Sequence, residues 1–411
     1  MEVGKELTVT IERFTNEGAG VAIYEGLVIF VPDALVGEEV KIKITELKKN
    51  YAIADLLEVL HISNDRTIPI CPFYDKCGGC DIMHMSKDLQ LNFKKNKIHD
   101  VFKKVCNLDV VVNDVCSFNS SNYRNKVVLR VEGNRIGFYE PKSNTIIDVK
   151  ECMICDDLIN ETLFKIRDFI NYYKSHGIEE VMIRVARDEV MVYLSSLNKR
   201  WYPYFIKRLN NVASIYVKDE LIYGVDSINQ KINDLVFDIS PKSFFQINPK
   251  TAEKMFEYAL KNIEDQNVCA DLYSGTGTIA MSLAKKSRRV IAIESNESAV
   301  EDAKENMFLN GLDNIEFKLG RVEDLIDELI ELNIDTLVLD PPRTGSDKRS
   351  LRALLKIKPK NIIYISCNPV TLARDYNVIR NLYDIKDIQP FDMFPNTHHV
   401  ETVMVLEKKD V

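Results

Sequence analysis

The feature that most constrains the fold is a regular alternation of apolar runs and helical stretches in the C-terminal part of the chain. The apolar runs lie at 268–272, 290–293, 315–318, 336–339 and 362–365. This rhythm predicts a doubly wound parallel sheet within residues 236–411, with ligands bound beyond the carboxyl ends of its strands. Residues that directly follow the runs are therefore the first candidates for function.

A glycine turn and an acid follow the first two runs. In "DLYSGTGTIA" (271–280), Gly275 and Gly277 allow the backbone to turn tightly and to approach a ligand. Glu294 ends the next run, about 20 residues later, where a carboxylate can hold both hydroxyls of a ribose. Ala280 replaces the third glycine of the dinucleotide fingerprint, and no Gly-Lys-Ser follows. The pattern indicates a nucleoside without a phosphate chain, such as S-adenosylmethionine.

Two further segments directly follow predicted strands, so we expect them at the same carboxyl edge of the sheet. "DPPRTG" (340–345) follows the fourth run, and its Asp340 is placed beside the ligand by a turn that two prolines stiffen. "YISCNP" (364–369) follows the fifth run. Its Cys367 stands where a strand opens into a turn, which favours a nucleophile over a small packing residue.

A thiol and a carboxylate at one edge suit the methylation of a pyrimidine carbon. A thiolate adds to C6, which makes C5 nucleophilic enough to accept a methyl group, and a base then removes the C5 proton. Glu401, in "HHVET" (398–402), opens the final β-like run and is the candidate base. The alternative is that Glu401 is an ordinary charge at the start of a strand.

The chain resembles bacterial RNA 5-methyluridine methyltransferases, particularly those acting on 23S ribosomal RNA, along its whole length. The segments that carry this resemblance are "SPKSFFQIN" (240–248) and the four motifs quoted above. The resemblance implies a Rossmann-like class I methyltransferase domain that forms 5-methyluridine. It also implies a set of roles: S-adenosylmethionine is contacted by Gln246, Tyr273, Glu294 and Asp340, Cys367 is the nucleophile and Glu401 is the base.

Residues 1–58 have the pattern of a small all-β domain. Leu7, Val9 and Ile11 alternate with polar residues, as do the apolar residues of 40–44. Five short strands at this spacing predict an OB-like barrel, which resembles a TRAM domain and so implies RNA binding. A barrel that serves only as a spacer is the alternative.

Residues 59–235 predict a mixed α+β domain. Strand-like runs lie at 126–131, 135–139, 181–185 and 190–194. Residues 86–106 form an amphipathic helix with a basic side: Lys94, Lys95, Lys97, Lys103 and Lys104. We expect these lysines to be solvated. We also expect the helix, extended to 86–110, to pack on the catalytic domain.

The family resemblance also interprets "CPFYDKCGGC" (71–80). In the ribosomal-RNA branch, three such cysteines and a later one hold a 4Fe-4S cluster, which implies the ligands Cys71, Cys77, Cys80 and Cys152. Four thiolates suit zinc as well, and Cys155 supplies a second C-x-x-C pair. A zinc ribbon, however, has about 15–20 residues between its pairs and would leave Cys71 unexplained. We therefore predict the cluster, and we interpret Cys106, Cys116 and Cys269 as packing residues.

Composition indicates the class of protein and its expected compartment. Hydrophobic residues make up 45% and charged residues 28%, which is typical of a soluble globular chain. No apolar run approaches the roughly 20 residues of a membrane span, and the N-terminus lacks the apolar core of a signal peptide. We expect a cytoplasmic monomer whose nine cysteines form no disulfides.

Other functions remain open at this point. They are methylation of uridine C5 in transfer RNA, methylation of a cytosine C5 or of a base nitrogen, and RNA binding by an inert cluster-containing protein. Relatives that act on transfer RNA usually lack the barrel and the cluster, which favours 23S RNA. The intact set of Cys367, Glu401 and Asp340 argues against an inert protein.

Overall fold

The N-terminal part of the chain is a single β-sheet. The computed structural model describes residues 1–261, 263 and 266–410. The strands are β1 (Glu6–Thr10), β2 (Arg13–Phe14), β3 (Gly20–Tyr24), β4 (Leu27–Val31), β5 (Glu39–Leu47) and β6 (Tyr51–His61). They lie in the order β1-β5-β6-β4-β3-β2, and buried and outward residues alternate along β1 as the pattern predicts. The predicted boundary at residue 58 lies inside β6.

The central part is a seven-stranded sheet with helices on one face. Its elements are α1 (Lys87–Cys106), β7 (Lys126–Glu132), β8 (Arg135–Tyr139), β9 (Ile146–Asp148), α2 (Asp157–Tyr172), β10 (Glu180–Ala186), β11 (Glu189–Leu194), a 3-10 turn (Lys199–Trp201), α3 (Tyr202–Arg208), β12 (Ser214–Val217) and β13 (Glu220–Gly224). The strand order is β13-β12-β11-β10-β7-β8-β9. Apolar residues of α2 and α3 form one core with this sheet. The predicted α+β class is confirmed.

The C-terminal part contains a hairpin and a doubly covered sheet. Its elements are β14 (Ile228–Ile232), β15 (Leu235–Ile239), α4 (Pro249–Ala259), β16 (Gln266–Leu272), α5 (Thr278–Ala284), β17 (Ser287–Glu294), α6 (Glu297–Leu309), β18 (Ile315–Leu319), α7 (Val322–Leu325), a 3-10 turn (Ile326–Leu329), β19 (Thr336–Leu339), α8 (Lys348–Ile357), β20 (Asn361–Ser366), α9 (Pro369–Ile379), β21 (Tyr383–Phe391) and β22 (Glu401–Lys408). The predicted boundary between 235 and 236 lies inside β15, and Val411 lies outside the described residues.

The sheet of this part has the order β18-β17-β16-β19-β20-β22-β21. Strands β16 to β20 run parallel, and β22 pairs antiparallel with both β20 and β21. Apolar side chains cover both faces, which explains why the strands are apolar runs and do not alternate. The predicted α/β domain is confirmed, and its ligand crevice is expected where the strand order reverses, between β16 and β19.

Helix α1 packs on this C-terminal sheet. Its Ile98, Val101 and Phe102 belong to the same buried cluster as residues of α8 and α9. The thiol of Cys106 donates a hydrogen bond to the carbonyl of Ala373, at 3.2 Å. With 20 residues α1 is the longest described helix, and none of the described helices is both apolar and long enough to cross a lipid bilayer.

One lysine of α1 is buried, whereas the sequence pattern predicts that it is solvated. Lys94 is fully buried, and its Nζ lies 2.5 Å from Oδ1 of the equally buried Asp392. The same Nζ also donates to the carbonyl of Phe394, at 3.1 Å. The prediction of a solvated lysine side is therefore wrong for Lys94, because a partner from another element neutralises the buried charge.

Candidate active site

Strand register brings the predicted site residues to one edge. Leu272 at the end of β16 lies opposite Ile293 of β17 and Leu339 of β19. The next residue of each strand therefore emerges at the same level, and these are Tyr273, Glu294 and Asp340. A cavity of about 1150 Å³ opens at this edge. All the predicted catalytic and cofactor residues line it: Gln246, Tyr273, Gly275, Glu294, Asp340, Cys367 and Glu401.

The glycine turn is built from residues in left-handed conformations. Tyr273 has φ 66°, Gly275 φ 54° and Gly277 φ 81°. A Cβ on Gly277 would also lie only 3.1 Å from the Met281 side chain and 3.2 Å from that of Ala303. Gly277 therefore suits both the φ angle and the space, and it directs the first turn of α5 towards the cavity.

Backbone amides hold the carboxylate of Glu294 at the cavity wall. Its Oε2 accepts a hydrogen bond from Gly275 N at 2.9 Å. Its Oε1 accepts from Ser295 N at 2.7 Å and from Asn296 N at 2.8 Å. The side chain is half-buried, and the lone pairs that remain on Oε2 can accept further hydrogen bonds. This is an arrangement that can bind the hydroxyls of a ribose.

The register between two strands places Cys367 opposite Glu401. Ser366 of β20 pairs with Thr402 of β22, so that the next opposite pair is Cys367 and Glu401. Asn368 caps α9, accepting a hydrogen bond from Val370 N at 3.1 Å, and Pro369 begins the helix. The thiol therefore projects into the cavity between the end of a strand and the start of a helix.

Burial governs the protonation of this pair. Burial, reinforced by the nearby charge of Glu401, raises the pKa of Cys367 to about 11, whereas Arg343 acts to lower it. Burial and then the charge of Asp340 raise the pKa of Glu401 to about 8. Burial alone raises the pKa of Asp340 to about 7. Such an edge is stabilised by a positively charged ligand, because the ligand compensates the buried carboxylates.

Gln246 lies on a loop that the central sheet braces. Arg184 of β10 is buried, and its guanidinium donates to the carbonyls of Ser243 at 2.7 Å and Ser240 at 3.2 Å. Asp302 of α6 accepts a hydrogen bond from the hydroxyl of Ser240 at 3.2 Å. Sequence reasoning missed Arg184. An arginine within the apolar run "VMIRVA" was nevertheless a signal, because a buried guanidinium needs hydrogen-bond acceptors.

Arg343 is a second residue that sequence reasoning missed. Its guanidinium lies 3.3 Å from Nε2 of His399, and its carbonyl accepts a hydrogen bond from Asn368 Nδ2 at 3.2 Å. Burial, followed by the positive charge of neighbouring groups, lowers the pKa of His399 to about 4, so that the neutral ring accepts from Arg343. The signal in the sequence is that Arg343 directly follows the two prolines of "DPPRTG", at the end of a predicted strand.

Of the four predicted cluster cysteines, Cys80 and Cys152 border the core of the central sheet. Cys71, Cys77, Cys80 and Cys152 are all half-buried. Burial and then the charges of the other three thiols raise the pKa of Cys80 to about 12. Among the residues that the structure describes, however, no group of three or more cysteine, histidine, aspartate or glutamate side chains is arranged to hold a metal ion. Cys155 is fully buried in the core under α2.

The comparison with protein families shows to which family the chain belongs. The family model for tRNA (Uracil-5-)-methyltransferase matches residues 86–409. The model for the TRAM domain matches residues 1–57.

The chain belongs to the RNA uracil-5-methyltransferase family. It is an S-adenosylmethionine-dependent RNA methyltransferase with an N-terminal TRAM domain, which confirms the family, the enzyme class and the N-terminal module predicted from the sequence.

Relatives and a solved structure match this methyltransferase over nearly its whole length. It is 38% identical to an uncharacterized RNA methyltransferase of Oceanobacillus iheyensis, over 98% of this chain and 96% of the relative. It is 35% identical to another of Clostridium acetobutylicum, over 98% and 97%. The crystal structure of Pyrococcus abyssi tRNA (uracil-54, C5)-methyltransferase in complex with S-adenosyl-L-homocysteine is similar, with a TM-score of 0.79 and 29% identity, over 97% of this chain and 99% of that chain.

Proposed function

We propose that this methyltransferase methylates C5 of a uridine in 23S ribosomal RNA and so forms 5-methyluridine. The observation that carries the proposal is the opposition of Cys367 and Glu401 across β20 and β22, in the cavity that Glu294 and Asp340 also line. A nucleophile and a base on one edge are what addition to C6 and proton removal from C5 require.

The fit of S-adenosylmethionine rests on the cavity wall. Glu294 offers Oε2 to the ribose, and the half-buried carboxyl of Asp340 and the buried carboxyl of Glu401 favour a cationic group near them. Gln246, Tyr273 and Gly275 complete the set of residues that would hold the donor. When bound, the donor supplies an electrophilic methyl group on a positively charged sulfur.

The chain's own residues perform the remaining steps. Cys367 loses its proton to solvent and its thiolate forms a bond to C6 of the uracil, so that the electron pair of the C5–C6 double bond moves to C5. C5 then takes the methyl group, and the bond between Cys367 and C6 persists. Glu401 removes the C5 proton, the C5–C6 double bond re-forms and the thiolate leaves. Arg343 favours the anionic forms of both residues, since its charge acts to lower the pKa of each.

Transfer RNA is a second candidate substrate, and one observation favours it. The similar solved enzyme acts on transfer RNA, yet its match covers 97% of this chain and so reaches into the TRAM domain. The premise that a barrel-bearing relative acts on ribosomal RNA is therefore weakened.

The test of the substrate is to map 5-methyluridine in 23S RNA and in transfer RNA from cells with and without the gene. Loss of the modification from 23S RNA is the expected result. Loss from transfer RNA alone would replace the proposed substrate by the second candidate. No loss from either RNA would favour a binding protein without catalytic activity and overturn the proposal.

Removing the carboxylate of Glu294 is expected to weaken S-adenosylmethionine binding. Each charge-assisted hydrogen bond contributes roughly 1.5–3 kcal/mol, so Glu294→Gln should raise the Kd at least about tenfold. Isothermal titration measures the change, and Glu301→Ala, an exposed carboxylate on α6, is the matched control. An unchanged Kd in Glu294→Gln would remove Glu294 from the binding site.

We also propose that Cys71, Cys77, Cys80 and Cys152 hold a 4Fe-4S cluster. The support is that all four thiols are half-buried and that the charges of Cys71, Cys77 and Cys152 act on Cys80 and raise its pKa. Cys155 fits the role of a packing residue, since it is fully buried among apolar side chains, whereas Cys80 and Cys152 only border that core. The cluster would order the segment and has no step in the reaction above.

Anaerobic purification is expected to give a brown protein that contains iron and acid-labile sulfide. Cys71→Ala should lose the iron, because a cluster ligand is removed, and Cys155→Ala should keep it. Elemental analysis of the two variants separates the two metals. Zinc in the wild type, retained in Cys71→Ala and lost in Cys155→Ala, would establish a zinc ribbon in place of the cluster.

A further inference from the structure

The base lies at the end of a loop that an earlier part of the chain holds in place. Residues 392–400, here called the base loop, connect β21 to β22 and lead directly into Glu401. At its start, Asp392 is paired with Lys94 and Lys87 of α1. In its middle, Asn396 donates two hydrogen bonds: its Nδ2 donates to Ser120 O at 2.9 Å, and its N donates to Gln90 Oε1 of α1 at 3.1 Å.

The end of the base loop is held by Asp81, the residue that follows Cys80. Oδ1 of Asp81 accepts a hydrogen bond from His398 N at 2.7 Å, and Oδ2 lies 2.5 Å from His398 Nδ1. In return, the backbone N–H groups of Asp81 and Ile82 donate to the carbonyl of Asn396, at 3.0 and 3.1 Å. These four hydrogen bonds join the cysteine-bearing turn to the last residues before the base.

The contacts around His398 continue into the cavity. Lys97 of α1 donates to the carbonyl of His398 at 3.0 Å. The rings of His398 and His399 lie 4.1 Å apart, and His399 contacts Arg343, which lines the cavity. Glu401 is only three residues beyond His398, so the backbone that Asp81 fixes sets the position from which the base reaches the substrate.

We propose that Asp81 is a positioning residue for the base Glu401, and that it couples the Cys71–Cys80 segment to the final proton removal. The proposal rests on the function proposed above. It goes further in assigning to the cysteine-bearing segment an effect on a single chemical step. Addition of Cys367 and methyl transfer do not use Glu401, so a loosened base loop should delay only the release of methylated RNA.

The test is single-turnover kinetics of Asp81→Asn, with a short RNA that contains the target uridine and labelled methyl donor. The amide cannot accept from His398 Nδ1–H at the replaced oxygen. Release of methylated RNA should slow at least about tenfold, since small displacements of a catalytic group have effects of this size. Methyl incorporation should stay close to the wild-type rate, and a methylated RNA–protein adduct should accumulate.

Two controls make the result specific. Asp75→Asn changes an exposed carboxylate in the same segment and should behave as wild type. Metal content, measured in parallel, should be equal in wild type, Asp75→Asn and Asp81→Asn, which shows that the delay does not arise from a lost metal site.

Removing the contact from the other side gives an independent measurement. His398→Ala should show the same selective delay, and the double variant should be no slower than the slower single variant, because both changes break one contact. Equal slowing of methyl incorporation and release, or normal release in both single variants, overturns the proposal. If Glu401→Gln itself accumulates no adduct, the proposed function has failed instead.

Discussion

Replacement of Cys367 by alanine will abolish both methylation and any covalent link to RNA. The thiolate acts first, and without its addition C5 of uracil is not nucleophilic enough to take the methyl group. Cys367→Ala, incubated with labelled methyl donor and a short RNA containing the target uridine, should give no labelled RNA and no labelled adduct on a denaturing gel. The wild type should be trapped by 5-fluorouridine RNA, because fluorine at C5 does not leave as a proton does.

The control for this loss is Cys116→Ala, which removes another half-buried thiol, one that packs against the core of the C-terminal sheet, and should leave activity intact. An adduct that still forms in Cys367→Ala would place the nucleophile elsewhere. Because burial raises the pKa of the Cys367 thiol to about 11, the fraction of reactive thiolate grows as pH rises towards that value. The labelled adduct on 5-fluorouridine RNA should therefore form faster as pH rises.

The second large effect is a trapped intermediate in Glu401→Gln. The amide keeps the shape of the side chain but cannot remove the C5 proton, so addition and methyl transfer proceed while elimination stalls. A methylated RNA–protein adduct that survives denaturation and carries the methyl label should accumulate, and multiple turnover should fall to near zero.

Glu407→Gln, on the same strand β22, is the matched control and should turn over normally. The raised pKa of Glu401, about 8, gives the sign of the pH dependence. The carboxylate is the active form and is populated above that pKa, so release in the wild type should quicken as pH rises towards 8, and Glu401→Gln should lose this dependence. Normal turnover of Glu401→Gln would assign the base to another group.

Much of this candidate site could be located from sequence, because ligands bind where parallel strands end. Apolar runs predicted the parallel strands, and a parallel sheet brings the residues after its strands to one edge, so Gly275, Glu294, Asp340 and Cys367 could be grouped without coordinates. Tyr273 was predicted from the family resemblance alone. Glu401 was predicted as the base because the reaction needs a carboxylate near the thiol and Glu401 is the acid that opens the last strand. Its opposition to Cys367 depends on the antiparallel register of β22, which periodicity does not determine.

Hydrogen bonds and ion pairs between residues far apart in the chain could not be predicted from the sequence. The helical period identified an apolar and a basic side of α1, but it did not reveal that Asp392, almost 300 positions later, buries Lys94. Arg184 and Asp81 were missed for the same reason, since their partners lie on loops of another part of the chain. A polar residue in an apolar run signals an unseen partner, and the partner's identity requires the fold.

The packing of α1 on the C-terminal sheet has a consequence for synthesis on the ribosome. Cys106 and its partner Ala373 are 267 positions apart, so α1 leaves the ribosome long before the surface that covers it exists. At the usual elongation rates of about 5–20 residues per second, the interval is roughly 13–53 s. During that time the apolar side of α1 lacks the residues that cover it in the folded protein. The enzyme therefore completes its methyltransferase core only when its last strands emerge.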